Sequence, residues 1–508
     1  MSETTVSAST ELDDRTDLYP DGDPETAALP PAGSARAWWW RELRPLLLRV
    51  HFYAGLFVGP FLLVAALTGL LYTTTPQLEQ LVHHDQLHVP VPASDGAATA
   101  LPLSQQVSAA VAALPEGKVT AIRPAGTPDG TTRVVFAAPG VPEDYSRTVF
   151  LDPYTAQVRG ILTTYGEWLP VRAWFDELHR TLHLGAVGRV YTELAASWLW
   201  VLTLSGLAIW VARRRRVRAL RHTLAPRLRG AGRGRVRSWH GSVGLWAAVG
   251  LLFLSATGLT WSQFAGTNVD TLRAALHWSS PSVHTTLPAP LGLPGAPATP
   301  PASGTSLSPA ELATTAERVL AAARARGLGD PVQITPASKP GRAWVVAQTQ
   351  RSWPEKQDSV AVDPATGTVV DQLRFAEWPL AAKLARWGVD AHMGLLFGLA
   401  SQIALAGLAL GLICMIIWGY RMWWLRRPTR SSGTVGPAGG RPSGGRLTAG
   451  GPAVGPPGGT RRPGFGAVAI VGAVAIGVGV FLPVFGASLL VFLLVDALRQ
   501  GRERVVAG

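Results

Sequence analysis

Long apolar runs dominate this chain and decide most of what it can become. A helix rises 1.5 Å per residue, so roughly 20 apolar residues are needed to cross about 30 Å of hydrocarbon. Residues 46–72, 194–212, 243–261 and 395–420 meet that requirement, which excludes a soluble single domain. A further apolar stretch, 464–498, is too long for one ordinary crossing and carries Pro483 and Gly486 near its middle. Arg461 and Arg462 precede it, and Arg499, Arg502 and Arg504 follow it. Basic residues at both ends predict a tight helical hairpin that returns to the side it left. The expected architecture is an α-helical polytopic membrane protein with four core spans plus this C-terminal hairpin.

The formal charge of +13 could suggest nucleic acid, but the arginines sit beside the apolar runs, where membrane topology accounts for them. Arg41, Arg44 and Arg49 precede the first span. The loop 213–242 carries eleven arginines between Arg213 and Arg237 without one acidic residue, which predicts a cytoplasmic loop. With the Gly/Pro-rich linker 421–463 and the tail 499–508 on the same side, both termini are expected in the cytoplasm of a bacterial inner membrane. The acidic segment 1–45 reads as a disordered tail rather than a cleavable signal, so the first apolar run is expected to serve as an uncleaved anchor. The single cysteine, Cys414, lies within an apolar run, so disulfides and CxxC chemistry are excluded within the chain.

Segments 73–193 and 262–394 are then extracytoplasmic. Each holds an Ala-rich helical pattern, at 104–114 and 308–323, followed by strand-like runs at 132–137 and 343–347. Each closes on an Asp-Pro turn, Asp152-Pro153-Tyr154-Thr155 and Asp363-Pro364-Ala365-Thr366-Gly367. Two small α+β domains are expected.

The halves of the chain repeat. His51, Gly55, Thr68, Gly69 and Leu70 recur at identical offsets as His240, Gly244, Thr257, Gly258 and Leu259, and His183-Leu-Gly185 answers His392-Met-Gly394. An internal duplication of a helix-domain-helix unit is the expected origin. His51 and His240 then lie at the cytoplasmic ends of spans one and three. His183 and His392 stand 30 and 29 residues before Arg213 and Arg421, at a common outer level. His179, one turn before His183, is the rival ligand on that helix. Neutral imidazoles paired across facing helices suit a b-type haem, with Arg44, Arg49 and Arg237 as candidates for its propionates. Interfacial histidines also snorkel or cap helices without any ligand, and Gly55 and Gly59 fit plain GxxxG packing. Straight spans would separate the two histidine levels by about 40 Å. His83, His84 and His88 read as a solvated loop cluster, and Trp38–Trp40 with Trp423 and Trp424 as interfacial belts.

The segments Arg49 to Tyr72, Leu178-His179-Arg180 through Trp210, Trp239-His240-Gly241 through Trp261, and His392-Met393-Gly394 through Trp424 resemble the PepSY-associated transmembrane helix proteins, also called iron-regulated membrane proteins. The outer domains look like PepSY domains, most recognisably at their Asp-Pro turns. This resemblance implies haem b, one or two per chain, with His51, His240, His392 and His179 or His183 as axial ligands. It implies an inner-membrane ferric-siderophore reductase of iron acquisition, working on a ferric siderophore or other iron chelate. No GxGxxG unit appears in strand–helix context, so the electron donor is expected to be a quinol or a separate cytoplasmic reductase. The rival from another class is a haem-free anchor whose PepSY-like domains bind peptides or restrain a protease. A permease is disfavoured by the lack of mid-span charges and of any visibly broken core span.

Overall fold

The computed structural model describes residues 35–92, 99–214, 224–288, 307–425 and 465–507. The expected tail before residue 35, loop residues 215–223 and linker residues 426–464 lie outside them. Among the described residues three helices are long and apolar enough to cross a membrane: Gly185–Arg213, Gly232–Leu259 and Leu399–Trp424. A fourth crossing is formed if Leu43–Phe57 and Gly59–Tyr72 count as one span.

That first span is bent by 59°, which corrects the expectation of unbroken core spans. The cause is Pro60, at the start of the second half-helix, which has no N–H to donate to Leu56 four residues earlier. The Tyr420 hydroxyl donates to the Leu56 carbonyl instead, at 2.7 Å. Gly59 keeps the Tyr420 ring close, since a Cβ there would meet the phenol oxygen at 3.0 Å. Tyr420→Phe leaves this carbonyl without a partner in apolar surroundings. We expect it to lower stability by about 1 kcal/mol, read as a reduced melting temperature in detergent.

The second crossing is preceded by a separate helix, Pro170–Thr181, and the chain turns between them through Leu182, His183 and Gly185, all with positive φ. Gly188 permits the return, because a Cβ there would overlap the Thr181 carbonyl oxygen at 1.5 Å. The fourth crossing is preceded likewise by Leu380–His392. The C-terminal apolar stretch forms helices Phe465–Phe481 and Pro483–Ala507, meeting where Gly479 and Gly486 approach closely. Their apolar parts, Val468–Phe481 and Pro483–Val495, are each shorter than a straight crossing requires. Phe485 packs on Trp198 at 4.9 Å, and Asn268 Nδ2 donates to the Phe481 carbonyl, which fixes this pair against the second crossing and the segment after the third.

The segments following the first and third crossings build one eight-stranded antiparallel sheet in the order β4-β3-β2-β1-β5-β6-β7-β8. Strands β1 (Lys118–Arg123), β2 (Thr132–Ala137), β3 (Tyr145–Leu151) and β4 (Val158–Tyr165) form one meander. Strands β5 (Val332–Thr335), β6 (Trp344–Gln348), β7 (Ser359–Val362) and β8 (Val369–Leu373) form the other. They join where Ile122 pairs with Ile334. Helices Leu103–Ala113 and Pro309–Ala325 cover one face of both meanders. Val107, Ile122, Phe136, Val319, Ile334 and Val360 lie together in one buried core. The two expected domains therefore share a sheet and a core, a union that strand-by-strand sequence reading does not contain. The opposite face, carrying Arg123, Arg133 and Phe150, looks towards the Pro170–Thr181 helix and the crossings.

Candidate functional site

Two histidine pairs sit at different depths. His51 and His240 lie at the end of the bundle away from the sheet, with ring centres 6.2 Å apart and ring planes at 86°. His51 Nδ1 donates to the Leu202 carbonyl at 3.1 Å and lies 3.0 Å from Ser205 Oγ; His240 Nδ1 donates to the Met415 carbonyl at 3.0 Å. A carbonyl accepts only, so both rings carry their proton on Nδ1 and leave Nε2 as a lone-pair donor.

The rings border a cavity of ≈ 370 Å³ with a mostly apolar lining. Gly55, Gly59, Gly206 and Gly244 contribute to its walls. Gly206 touches the histidine directly, since a Cβ there would lie 2.9 Å from His51 Cε1. Gly55 and Gly244 face Leu202 and Met415. Arg213, Arg233 and Arg237 line the cavity, so of the three expected cations only Arg237 is on it, while Arg44 and Arg49 are not among the lining residues. Arg44 stands two helical turns before His51 on the same face, beyond the cavity lining, whereas Arg49 lies on the opposite side of that helix.

At the sheet-proximal end, His179 and His392 form the second pair. Thr68 Oγ1 donates back to the Val64 and Ala65 carbonyls, so it accepts from His179 Nδ1 at 2.9 Å. Thr257 does the same in the third crossing, bonding Phe253 O and accepting from His392 Nδ1 at 2.5 Å. Gly69 and Gly258 give these rings room; a Cβ on Gly69 would lie 3.1 Å from His179 Cε1. Removal from water pushes His179 down to about 4 and His392 to about 3, the latter also through the nearby His179. Both are neutral at ordinary pH, with Nε2 again the available donor.

His183 is not in this arrangement. It occupies a positive-φ turn and packs on the exposed Trp174 ring at 4.9 Å. The local string His-Leu-Gly aligns it with His392, but His179 holds the helix-end position that the Thr-Gly step can reach. Thr68 and Thr257, visible in sequence only as repeat markers, are the residues whose contact role that reading missed. The levels of the two pairs also change. His179 contacts residue 68, seventeen residues beyond His51. That is about 25 Å along a helix, and less through the bend, against the 40 Å of straight spans.

Beyond His179, its ring centre lies 6.5 Å from Tyr72, whose hydroxyl accepts from Arg172 Nε at 3.0 Å. Arg172 stacks on Trp168 at 3.9 Å, and Arg351 reaches the same ring from the second meander at 5.0 Å while pairing with Glu167 and Asp390. Glu79 accepts from Leu169 N at 3.0 Å, at the start of the helix that carries His179. Burial pushes Glu79 up from its ordinary 4.5 to about 7, against the opposing pull of Arg172. Because the folded value exceeds the unfolded one, the group's contribution to stability is fully present below pH 4.5 and is lost as pH rises through about 7. Melting temperatures between pH 5 and 8 should fall less steeply for Glu79→Gln than for wild type. Of the surface histidines, His88 spends both nitrogens within the protein, on Asp129 and Gln80, and His84 stacks on it at 5.1 Å.

The first pair has the spacing of two imidazoles that share one metal. Each metal–nitrogen bond is about 2 Å and the ring centre lies about 1 Å further back, giving roughly 6 Å between centres. Nδ1 hydrogen bonds to carbonyls or a hydroxyl are the arrangement that orients metal-ligating histidines. A family model described as PepSY-associated TM region matches residues 48–426. No curated protein matches the chain.

Proposed function

The chain belongs to the PepSY-associated TM region family of membrane proteins, and from that premise we propose that it is a haem-b protein of the bacterial inner membrane, carrying electrons across the bilayer to reduce extracytoplasmic ferric chelates. The observation that carries this reading is the pair of histidine pairs, each with Nδ1 occupied and Nε2 open, at two depths of one bundle.

In this reading His51 and His240 would hold an inner haem and His179 and His392 an outer one. A bound haem would supply a one-electron couple, at a potential set by its protein ligands and their burial. The chain's own residues do the rest. Leu202, Met415, Thr68 and Thr257 fix each imidazole's proton on Nδ1 and its ring orientation. The apolar walls of the inner cavity keep water off the ligand nitrogens, while Arg213, Arg233 and Arg237 offer positive charge to propionates at the cytoplasmic end. The sheet docks the ferric chelate, whose oxygen donors loosen their hold once the iron is reduced to the larger, less charged ion. Electrons enter from a quinol or a separate cytoplasmic reductase. The matched offsets of the two halves and the mirrored meanders support an origin by internal duplication, with the hairpin 464–498 returning to the side it leaves and both termini inside.

The test is transmembrane reduction. Proteoliposomes loaded with dithionite and given external ferric citrate are expected to release Fe(II) at least tenfold faster with wild-type protein than with His392→Ala. Equal rates, with both proteins folded and oriented alike, would overturn the reading.

A further inference from the structure

The helices that carry the outer histidines, Pro170–Thr181 and Leu380–His392, belong to opposite halves of the chain, so local chain geometry does not set their separation. Arg351, in the loop that follows β6, touches both sides. Its Nε lies 2.9 Å from Asp390 Oδ1, two residues before His392, and its Nη1 donates to Glu167 Oε1, three residues before the Pro170–Thr181 helix begins. The same guanidinium lies over the Trp168 ring, 5.0 Å from its centre.

Both anchor points are held by the backbone around them. Tyr165 and Trp168 exchange backbone hydrogen bonds at 2.9 and 3.0 Å, which closes the turn that carries Glu167. Leu169, the next residue, is held by Glu79. On the other side the Trp387 indole donates to the Pro354 carbonyl at 3.0 Å, and Phe397 N to the Ser352 carbonyl at 2.9 Å. The loop around Arg351 is thereby fastened to the His392 helix and to the turn after it.

Asp390 is buried at 2 % exposure, and its other oxygen lies 3.2 Å from Arg386 Nε. Neither Nε–H points closely enough at its oxygen for a hydrogen bond, so these are charge pairs. A buried ion pair of that kind recovers little beyond its desolvation, and stability alone does not account for the charges being here. Glu167 also lies near Arg123 and Arg386.

We propose that Arg351 is a positioning residue, a strut between the two halves that sets the distance and angle at which His179 and His392 face each other. A ligand set keeps its geometry only when neighbouring groups lock it to within about 0.5 Å. The inference rests on the proposed function only in taking His179 and His392 to share one haem; the strut is a property of the chain itself.

The test variant is Glu167→Gln/Arg351→Gln. It leaves Asp390 paired with Arg386, and Arg123 loses the attraction of Glu167 together with the repulsion of Arg351, so no buried charge is stranded. Nitroxide labels are attached through Trp174→Cys and Leu384→Cys, exposed positions on the two helices, in a Cys414→Ala background of the full-length chain in detergent. Pulsed dipolar electron spin resonance on haem-free protein should give one narrow label distance in the parent and a distribution at least twice as wide in the double variant. Asp270→Asn/Arg273→Gln, which removes an ion pair confined to one helix, should leave the distance unchanged. Should the double variant fail to fold, Arg351→Lys keeps the charge but cannot fork to both carboxylates, and should broaden the distribution to a lesser degree. An unchanged distribution in the folded double variant, or in Arg351→Lys where only that folds, would overturn the proposal. In haem-loaded protein the double variant should also shift the outer haem's low-spin resonance. Labels that respond in a chain unable to bind haem keep the strut and sink the reductase reading, while unresponsive labels in a haem-loaded chain lose only the strut.

Discussion

Replacing His179 with alanine is expected to abolish the outer centre, whereas His183→Ala leaves it intact. Only His179 accepts the constraint of Thr68 and lies near His392; His183 faces Trp174 on an exposed turn. If the outer pair holds haem, His179→Ala should lower haem content by one per chain and cut ferric citrate reduction in vesicles by at least a hundredfold. His183→Ala should change either quantity by less than twofold. A Thr68→Val substitution, which removes the hydrogen bond but keeps the ligand, should fall between them, since loss of an orienting partner typically costs 10–100-fold in metal affinity or activity.

Filling the inner cradle should be as damaging as removing its ligand. Gly206→Leu places a branched side chain where even a Cβ would lie 2.9 Å from His51 Cε1, and where the cavity wall is closest to the ring. We expect it to eliminate inner haem while His51 and His240 both remain. Gly230→Ala is the wrong control, because its positive φ adds strain of its own; Gly407→Ala, with open space around its Cβ, should leave haem content unchanged. Equal haem loss in both glycine variants would show that helix packing, rather than the cavity, was disturbed.

The sequence made the crossings, the Ala-rich helices and the Asp-Pro turns legible because each rests on local physics. Apolar length defines a crossing, a Ser308–Glu311 capping box starts the helix Pro309–Ala325, and Asp152 and Asp363 side chains hold their own turns through the backbone N–H groups of Tyr154 and Ala365. The strand at 132–137 was likewise readable from its β-branched run. The joining of the two meanders was not, because a single pairing of Ile122 with Ile334, more than two hundred residues apart, leaves no local mark. The histidines were legible as candidates, and the offsets of His51 and His240 gave the inner pair. Choosing between His179 and His183 required knowing that the chain reverses at Leu182 to Gly185, which carries His183 away from the bundle. The bend at Pro60 was signalled in sequence by the proline itself, but its tolerance depends on Tyr420, which packs there only in three dimensions.

The most direct test of the account is haem stoichiometry. Full-length protein, expressed with ample haem supply and purified in detergent, should show sharp b-type bands on dithionite reduction and two haems per chain. His240→Ala and His392→Ala should each retain one, with different residual spectra because they empty different sites. A haem-free wild type would contradict the account and leave the paired histidines as structural features of a membrane anchor.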